Sequence, residues 1–143
     1  MDWVYLFTGL HGRITRQWFW IGLGVLIVFE LVAGQIARQI QGEQLVSLVG
    51  LALDYPEFAL AVKRANDRNL SVWAVATFFI VDGLSGLLGL MSSNGEVGPD
   101  TPLASVLAYL GFAVLVVLIA ELGFRRGTVG PNRFGPDPLG GKI

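Results

Sequence analysis

The chain has 143 residues, 53% of them hydrophobic and 15% charged, with a mean hydropathy of +0.61 and a formal charge of −1. Charged residues make up about 25% of an ordinary soluble domain, so this composition argues against a water-soluble fold, a disordered tail or a basic nucleic-acid binder and leaves a single membrane domain. No cysteine is present, which removes disulfides, thiolate metal sites and thiol chemistry.

The chain opens with an aromatic segment, WVYLF at 3–7, followed by GRITRQWFW at 12–20. Aromatics mixed with arginines read as a segment lying in the headgroup layer, with Trp18 and Trp20 marking its boundary. Arg13 and Arg16 stand three residues apart, so they either face one phosphate together or snorkel to the interface. The segment also holds the single histidine, His11.

A transmembrane helix needs roughly 20 mostly apolar residues, because ~30 Å of hydrocarbon is crossed at 1.5 Å per residue. Four segments meet this, at about 18–37, 45–64, 72–91 and 103–122, and connectors of about 7, 7 and 11 residues predict an all-α, up-and-down four-helix bundle over 1–143. A cleaved signal peptide competes for the first segment, since Val32-Ala33-Gly34 loosely resembles a cleavage site. However, the run from Trp18 to Ala33 is longer than the usual apolar core of such a peptide and Asp2 sits in its leader.

The second connector reads KRANDRNLSVW, 63–73. Ser71 suits a helix N-cap and Asn69 a left-handed turn. Asp67 is placed to staple an arginine of the N-terminal segment across the membrane face. The tail, 123–143, is rich in glycine and proline; this composition predicts disorder, although Arg133, Phe134 and Asp137 are residue types that could dock it.

Nine of the ten cations (Arg13, Arg16, Lys63, Arg64, Arg68, Arg125, Arg126, Arg133 and Lys142) fall on one side of these spans and Arg38 on the other. Cytoplasmic loops carry the excess of Lys and Arg. Both termini and the second connector are therefore expected in the cytoplasm, and the third connector, with Glu96 and Asp100, outside. Arg13, Arg16, Lys63, Arg64, Asp67, Arg68 and Arg133 form the candidate surface for anionic lipid or a partner protein.

Three motifs, GRITRQWFW, KRANDRNLSVW and GPNRFGPDP at 130–138, together resemble the domain-of-unknown-function 805 (DUF805) family, the YhaH-like small bacterial inner-membrane proteins. The resemblance covers nearly the whole chain. The family's connector pattern is Arg-Arg-Leu-His-Asp-x-Gly-x-Ser. Arg64, Asp67, Ser71 and Trp73 match the family, while Lys63 replaces the first Arg, Asn66 the His and Asn69 the Gly. The resemblance implies topology and an inner-membrane location; it implies no mechanism.

Five acids fall inside the predicted spans: Glu30, Asp54, Glu57, Asp82 and Glu121. Glu121 has Arg125 one turn away as a partner. Counting 1.5 Å per residue from the cytoplasmic ends, Asp54 and Asp82 lie at about 15 Å, Glu30 at about 18 Å and Glu57 at about 10 Å. Pro56 frees the carbonyl of Ala52 beside them, and Gly83, Gly86 and Gly89 permit close helix approach. Acids at this depth are protonated and hydrogen-bonded between helices, paired, set against a charged partner subunit, or gathered around a proton or cation. Glu57 shares a stripe with Arg64, which would let the two pair. No H-E-x-x-H, phosphate-loop, G-x-S-x-G or dinucleotide motif is present. The expected protein is a non-enzymatic structural or interaction module without cofactor or metal, surrounded by lipid and partnered by itself or another membrane protein. The alternative is a small proton or cation conductor using Glu30, Asp54, Glu57 and Asp82.

Overall fold

The computed structural model describes residues 2–92 and 102–140. It is helical: α1 (Trp3–Thr8), α2 (Arg16–Gln41), α3 (Glu43–Asp67), α4 (Val72–Ser92) and α5 (Pro102–Leu118), which runs on into a π-helical turn, Ile119–Phe124. All four predicted apolar segments are helices. Arg16–Ile40, Gln44–Asp67 and Ser105–Phe124 are long and apolar enough to cross a membrane, and α4 contributes the shorter apolar stretch Val72–Leu84. The third connector, Glu96 and Asp100, and Lys142 at the terminus lie outside the described residues.

Local chemistry sets the helix ends. The Asp2 carboxylate accepts from the Val4 amide at 2.9 Å to open α1, and Thr15 accepts from the Trp18 amide at 3.3 Å to open α2. The first connector was expected to take about 7 residues, but both helices run on until only Gly42 separates them. Gly42 has φ 71° and ψ −152°, a region that only glycine occupies without strain, and its amide closes α2 on the Arg38 carbonyl at 3.2 Å. Asn69 has the left-handed φ of 57° expected of it, and Ser71 Oγ accepts from the Trp73 amide at 3.4 Å as α4 begins.

Packing is sequential: α2 lies on α3, α3 on α4 and α4 on α5, and α1 folds back onto α3. The π turn brings the end of α5 round to α2 and α3. Most of the buried core sits at this end, where Leu6, Ile14, Phe19, Leu60, Ala65, Val75 and Leu122 cluster. Along the rest of the helices large apolar side chains face outward, with Val28, Phe29, Leu31, Ile36, Trp73, Tyr109, Phe112 and Val117 all more than half exposed. Apolar surface of this extent requires an apolar surrounding.

Candidate functional site

The end of α3 and its C-cap carry five polar side chains, Lys63, Arg64, Asn66, Asp67 and Arg68, and four of them are buried. Lys63 and Arg64 are 0% exposed, and Asn66 and Asp67 are 3% exposed. Burying charge is costly unless every polar atom finds a partner. Here α1, the link after it, the π turn and the tail supply the partners.

Lys63 Nζ donates to the carbonyls of Tyr5, at 2.9 Å, and Gly9, and lies 5.2 Å from the centre of the Tyr5 ring. These contacts neutralise the carbonyl end of α1, where backbone acceptors are left over. Asn66 Nδ2 donates to the carbonyls of Leu10 and Gly12 at 3.2 and 3.1 Å. The position where the family pattern has histidine is therefore filled by an amide that ties down the link between α1 and α2. The Tyr5 hydroxyl donates to the His11 carbonyl at 3.1 Å, and partial burial pushes this phenol above its ordinary value, so it remains a donor.

Arg64 reaches the other way. Its Nε donates to the Leu122 carbonyl at 2.7 Å, one terminal nitrogen to the Ile14 carbonyl at 3.3 Å and to Asp67, and the other to the Arg125 carbonyl at 2.6 Å. Arg16 donates to the Phe124 carbonyl at 3.2 Å and the Trp20 indole to the Gly123 carbonyl at 3.1 Å. A π turn displaces carbonyls from their usual helical partners. Four successive residues, Leu122 to Arg125, are here capped by side chains from α2 and α3.

Asp67 joins the two halves. One carboxylate oxygen accepts from Arg13 Nε at 3.0 Å and lies 2.9 Å from its terminal nitrogen, and the other accepts from Arg64. The staple expected between Asp67 and an N-terminal arginine is present, with Arg13 as its partner. Arg13 continues into the tail, donating to the carbonyls of Gly130 at 2.7 Å, Thr128 at 2.6 Å and Gly135 at 3.3 Å. The Thr128 amide donates to the Asp67 carbonyl at 2.8 Å and Asn132 Nδ2 to the Asn66 carbonyl at 2.9 Å. Gly127 passes so close to the Asp67 carboxylate that any Cβ there would collide with it. The tail predicted to be disordered is thus held in place by donors and acceptors on other segments. Its own turn, Asn132 paired with Gly135, completes the seat.

Several site residues stand differently from their expected places. Arg13, Lys63, Arg64 and Asp67 were expected to face lipid headgroups or a partner; they are buried and their polar atoms are engaged internally. The reason is that acceptors within the chain take up these donors: the carbonyls of Tyr5 and Gly9 for Lys63, those of Leu122 and Arg125 for Arg64, those of Thr128 and Gly130 for Arg13, and the Asp67 carboxylate for both arginines. The pairing of Arg64 with Glu57 is replaced by these carbonyls and Asp67. Arg68 bridges outward, to Glu121 at 3.1 Å and the Arg126 carbonyl at 2.6 Å; its Nε is buried without a partner among the described residues. Glu121 also holds Arg125 at 3.0 Å, the pair expected from their spacing. Arg16 and Arg133 remain exposed, and Arg133 stacks on Phe134 at 4.6 Å. Thr128, Asn132, Trp20 and Tyr5 complete the clamp, and nothing in their spacing announced it beyond their place in or beside the recognised motifs.

The acids of the apolar helices form a second group. Asp54 on α3 and Asp82 on α4 are neighbours, with Glu30 of α2 and Glu57 of α3 also in electrostatic range. Among the described residues no three such groups are arranged to hold a metal ion.

The chain is similar over 140 residues, at 32% identity, to the uncharacterized protein YiiR of Escherichia coli (strain K12), covering 95% of this chain and 88% of that one. It is also similar, at 25% identity over 149 residues, to the inner membrane protein YhaH of the same strain, covering 96% and 97%. No solved structure matches it. The profile of the family described as a protein of unknown function, DUF805, matches residues 7–136, a stretch that contains Arg13, Arg64, Asp67 and the docked tail to Gly135, and the chain belongs to that family.

Proposed function

We propose that the protein is a non-enzymatic interaction module of the bacterial inner membrane, with four spans, both termini in the cytoplasm, and a rigid cationic cap on the cytoplasmic face. The inner-membrane name of the relative YhaH, the outward apolar surface and the one-sided distribution of cations support this placement. The observation that carries the reading is the division of labour among the arginines. Arg13 and Arg64 are buried to lock the tail, and the locked tail displays Arg125, Arg126 and Arg133 on a fixed surface beside Arg16 at the start of α2. Preorganised cations lose little freedom when they meet an anionic headgroup or an acidic partner.

The test is lipid selection. In bilayers mixing phosphatidylglycerol with phosphatidylcholine, the lipid co-isolated with the protein should be enriched in phosphatidylglycerol. Arg125→Gln, Arg126→Gln and Arg133→Gln combined should remove most of that enrichment without changing thermal stability. Equal enrichment in the variant would sink the reading.

The proton or cation reading is favoured by one observation, the convergence of Glu30, Asp54, Glu57 and Asp82 from three helices. Proteoliposomes carrying Asp54→Asn with Asp82→Asn should then lose a proton flux that the unmodified protein supports. A flux equal to that of protein-free vesicles in the unmodified protein rejects it.

A further inference from the structure

Beside the clamp, between the start of α2 and the tail, lies a cavity of about 120 Å³ whose polar lining includes Arg16, Arg64, Arg126, Asp67 and Asp137. Both aspartates are already engaged. Asp67 is shared by Arg13 and Arg64, and the Asp137 carboxylate accepts from the amides of Gly130 and Leu139, both at 2.9 Å. Arg64 is sealed into the wall. Arg16 is exposed and uses one contact on the Phe124 carbonyl, and the exposed Arg126 guanidinium has no partner among the described residues. Arg16 and Arg126 therefore bring unused guanidinium donors to the lining of the cavity, enough for the two to share one oxyanion.

Below Arg16, at four-residue steps along one stripe of α2, come Trp20, Gly24, Val28 and Val32. With Ile21, Val25 and Phe29 between them they line a shallow, open apolar groove on the face of α2. Gly24 opens its floor, since a Cβ built there meets nothing. The Trp20 ring at its head is fixed, its N–H on the Gly123 carbonyl and its face 5.4 Å from Phe124. From Trp20 to Val32 the groove runs about 18 Å at 1.5 Å per residue, close to the ~15 Å half-thickness that one acyl chain fills.

We propose that this combined feature binds one anionic phospholipid of the cytoplasmic leaflet, its phosphate on Arg16 and Arg126 and one acyl chain laid along the Trp20–Val32 groove. The proposal rests on the cytoplasmic placement of the cap given above and deepens it from a diffuse cationic face to a single site.

The experiment is native mass spectrometry of the full chain in mild detergent, titrated with phosphatidylglycerol and, in parallel, with phosphatidylcholine. One phosphatidylglycerol per chain should be retained in preference to phosphatidylcholine. Arg16→Gln with Arg126→Gln should weaken it about ten-fold, through loss of charge-assisted hydrogen bonds. Gly24→Leu, which points into open space and leaves both arginines in place, should weaken it as well by filling the groove. Retention unchanged in either variant overturns the proposal, as does displacement by inorganic phosphate alone, which would make the cavity a site for the free anion. The two readings fail differently. If phosphatidylglycerol is preferred but held as several weak molecules indifferent to these substitutions, the cationic face stands and the site falls. If no preference exists at all, both fall.

Discussion

Asp67→Leu should destabilise the protein by about 3–5 kcal/mol, the range for breaking a buried ion pair from one side. Asp67 is 3% exposed and is the shared counter-charge of Arg13 and Arg64, whose side chains are equally enclosed. Leucine leaves two buried guanidiniums facing each other with no shared counter-charge. Asn in the same place keeps an acceptor for one of them and should cost less. Denaturation in detergent micelles, followed by helix content, measures the difference. Limited proteolysis should show the tail released at residues 127–133 in the leucine variant before the helices unfold, because Thr128 and Gly130 lose the arginine that holds them.

Arg64→Lys should be nearly as damaging, about 2–4 kcal/mol, although the charge is kept. The guanidinium is a planar fork that reaches Ile14, Leu122, Arg125 and Asp67, residues that belong to three separate parts of the chain. A lysine ammonium is one point on a flexible stem and cannot bridge carbonyls on both sides of it. At least two buried carbonyls would be left unsatisfied, each at roughly 1–3 kcal/mol. The same replacement at exposed Arg133 should change stability by less than about 0.5 kcal/mol. If both replacements prove equally mild, Arg64 is a topology signal and no more.

The contrast between these two arginines shows where the sequence could be read and where it could not. The apolar segments were readable because hydropathy accumulates over 20 residues and tolerates local irregularity. The turn residues Asn69 and Ser71 were readable because their roles depend on their own backbone and nearest neighbours. The Asp67 staple followed from residue type and side of the membrane. Which cations turn inward did not follow, because the carbonyls that bury Lys63 lie 54 and 58 residues away, on a helix that folds back, and those that bury Arg64 include one 61 residues away. Snorkelling is the sound expectation for a cation at a helix end until such acceptors are in place. The tail misleads for the same reason: its glycines and prolines build no structure of their own, and its order is supplied by Arg13 and the end of α3. The π turn carries no pattern at all, yet it frees the carbonyls on which Arg16, Trp20 and Arg64 close. Among the acids, counting depth from the helix ends brought Asp54 and Asp82 to one level, and in the structure the two are electrostatic neighbours across α3 and α4.

Amide hydrogen exchange of the chain in lipid nanodiscs addresses the clamp itself. The Thr128 amide, bonded to the Asp67 carbonyl at 2.8 Å, lies in a segment with no helix or sheet to protect it. If buried Arg13, Arg64 and Asp67 lock the tail, this amide exchanges as slowly as the end of α3 in the unmodified protein, and the protection vanishes in Asp67→Leu. Exchange at the rate of a free peptide in the unmodified protein would contradict the lock and return those arginines to the membrane surface.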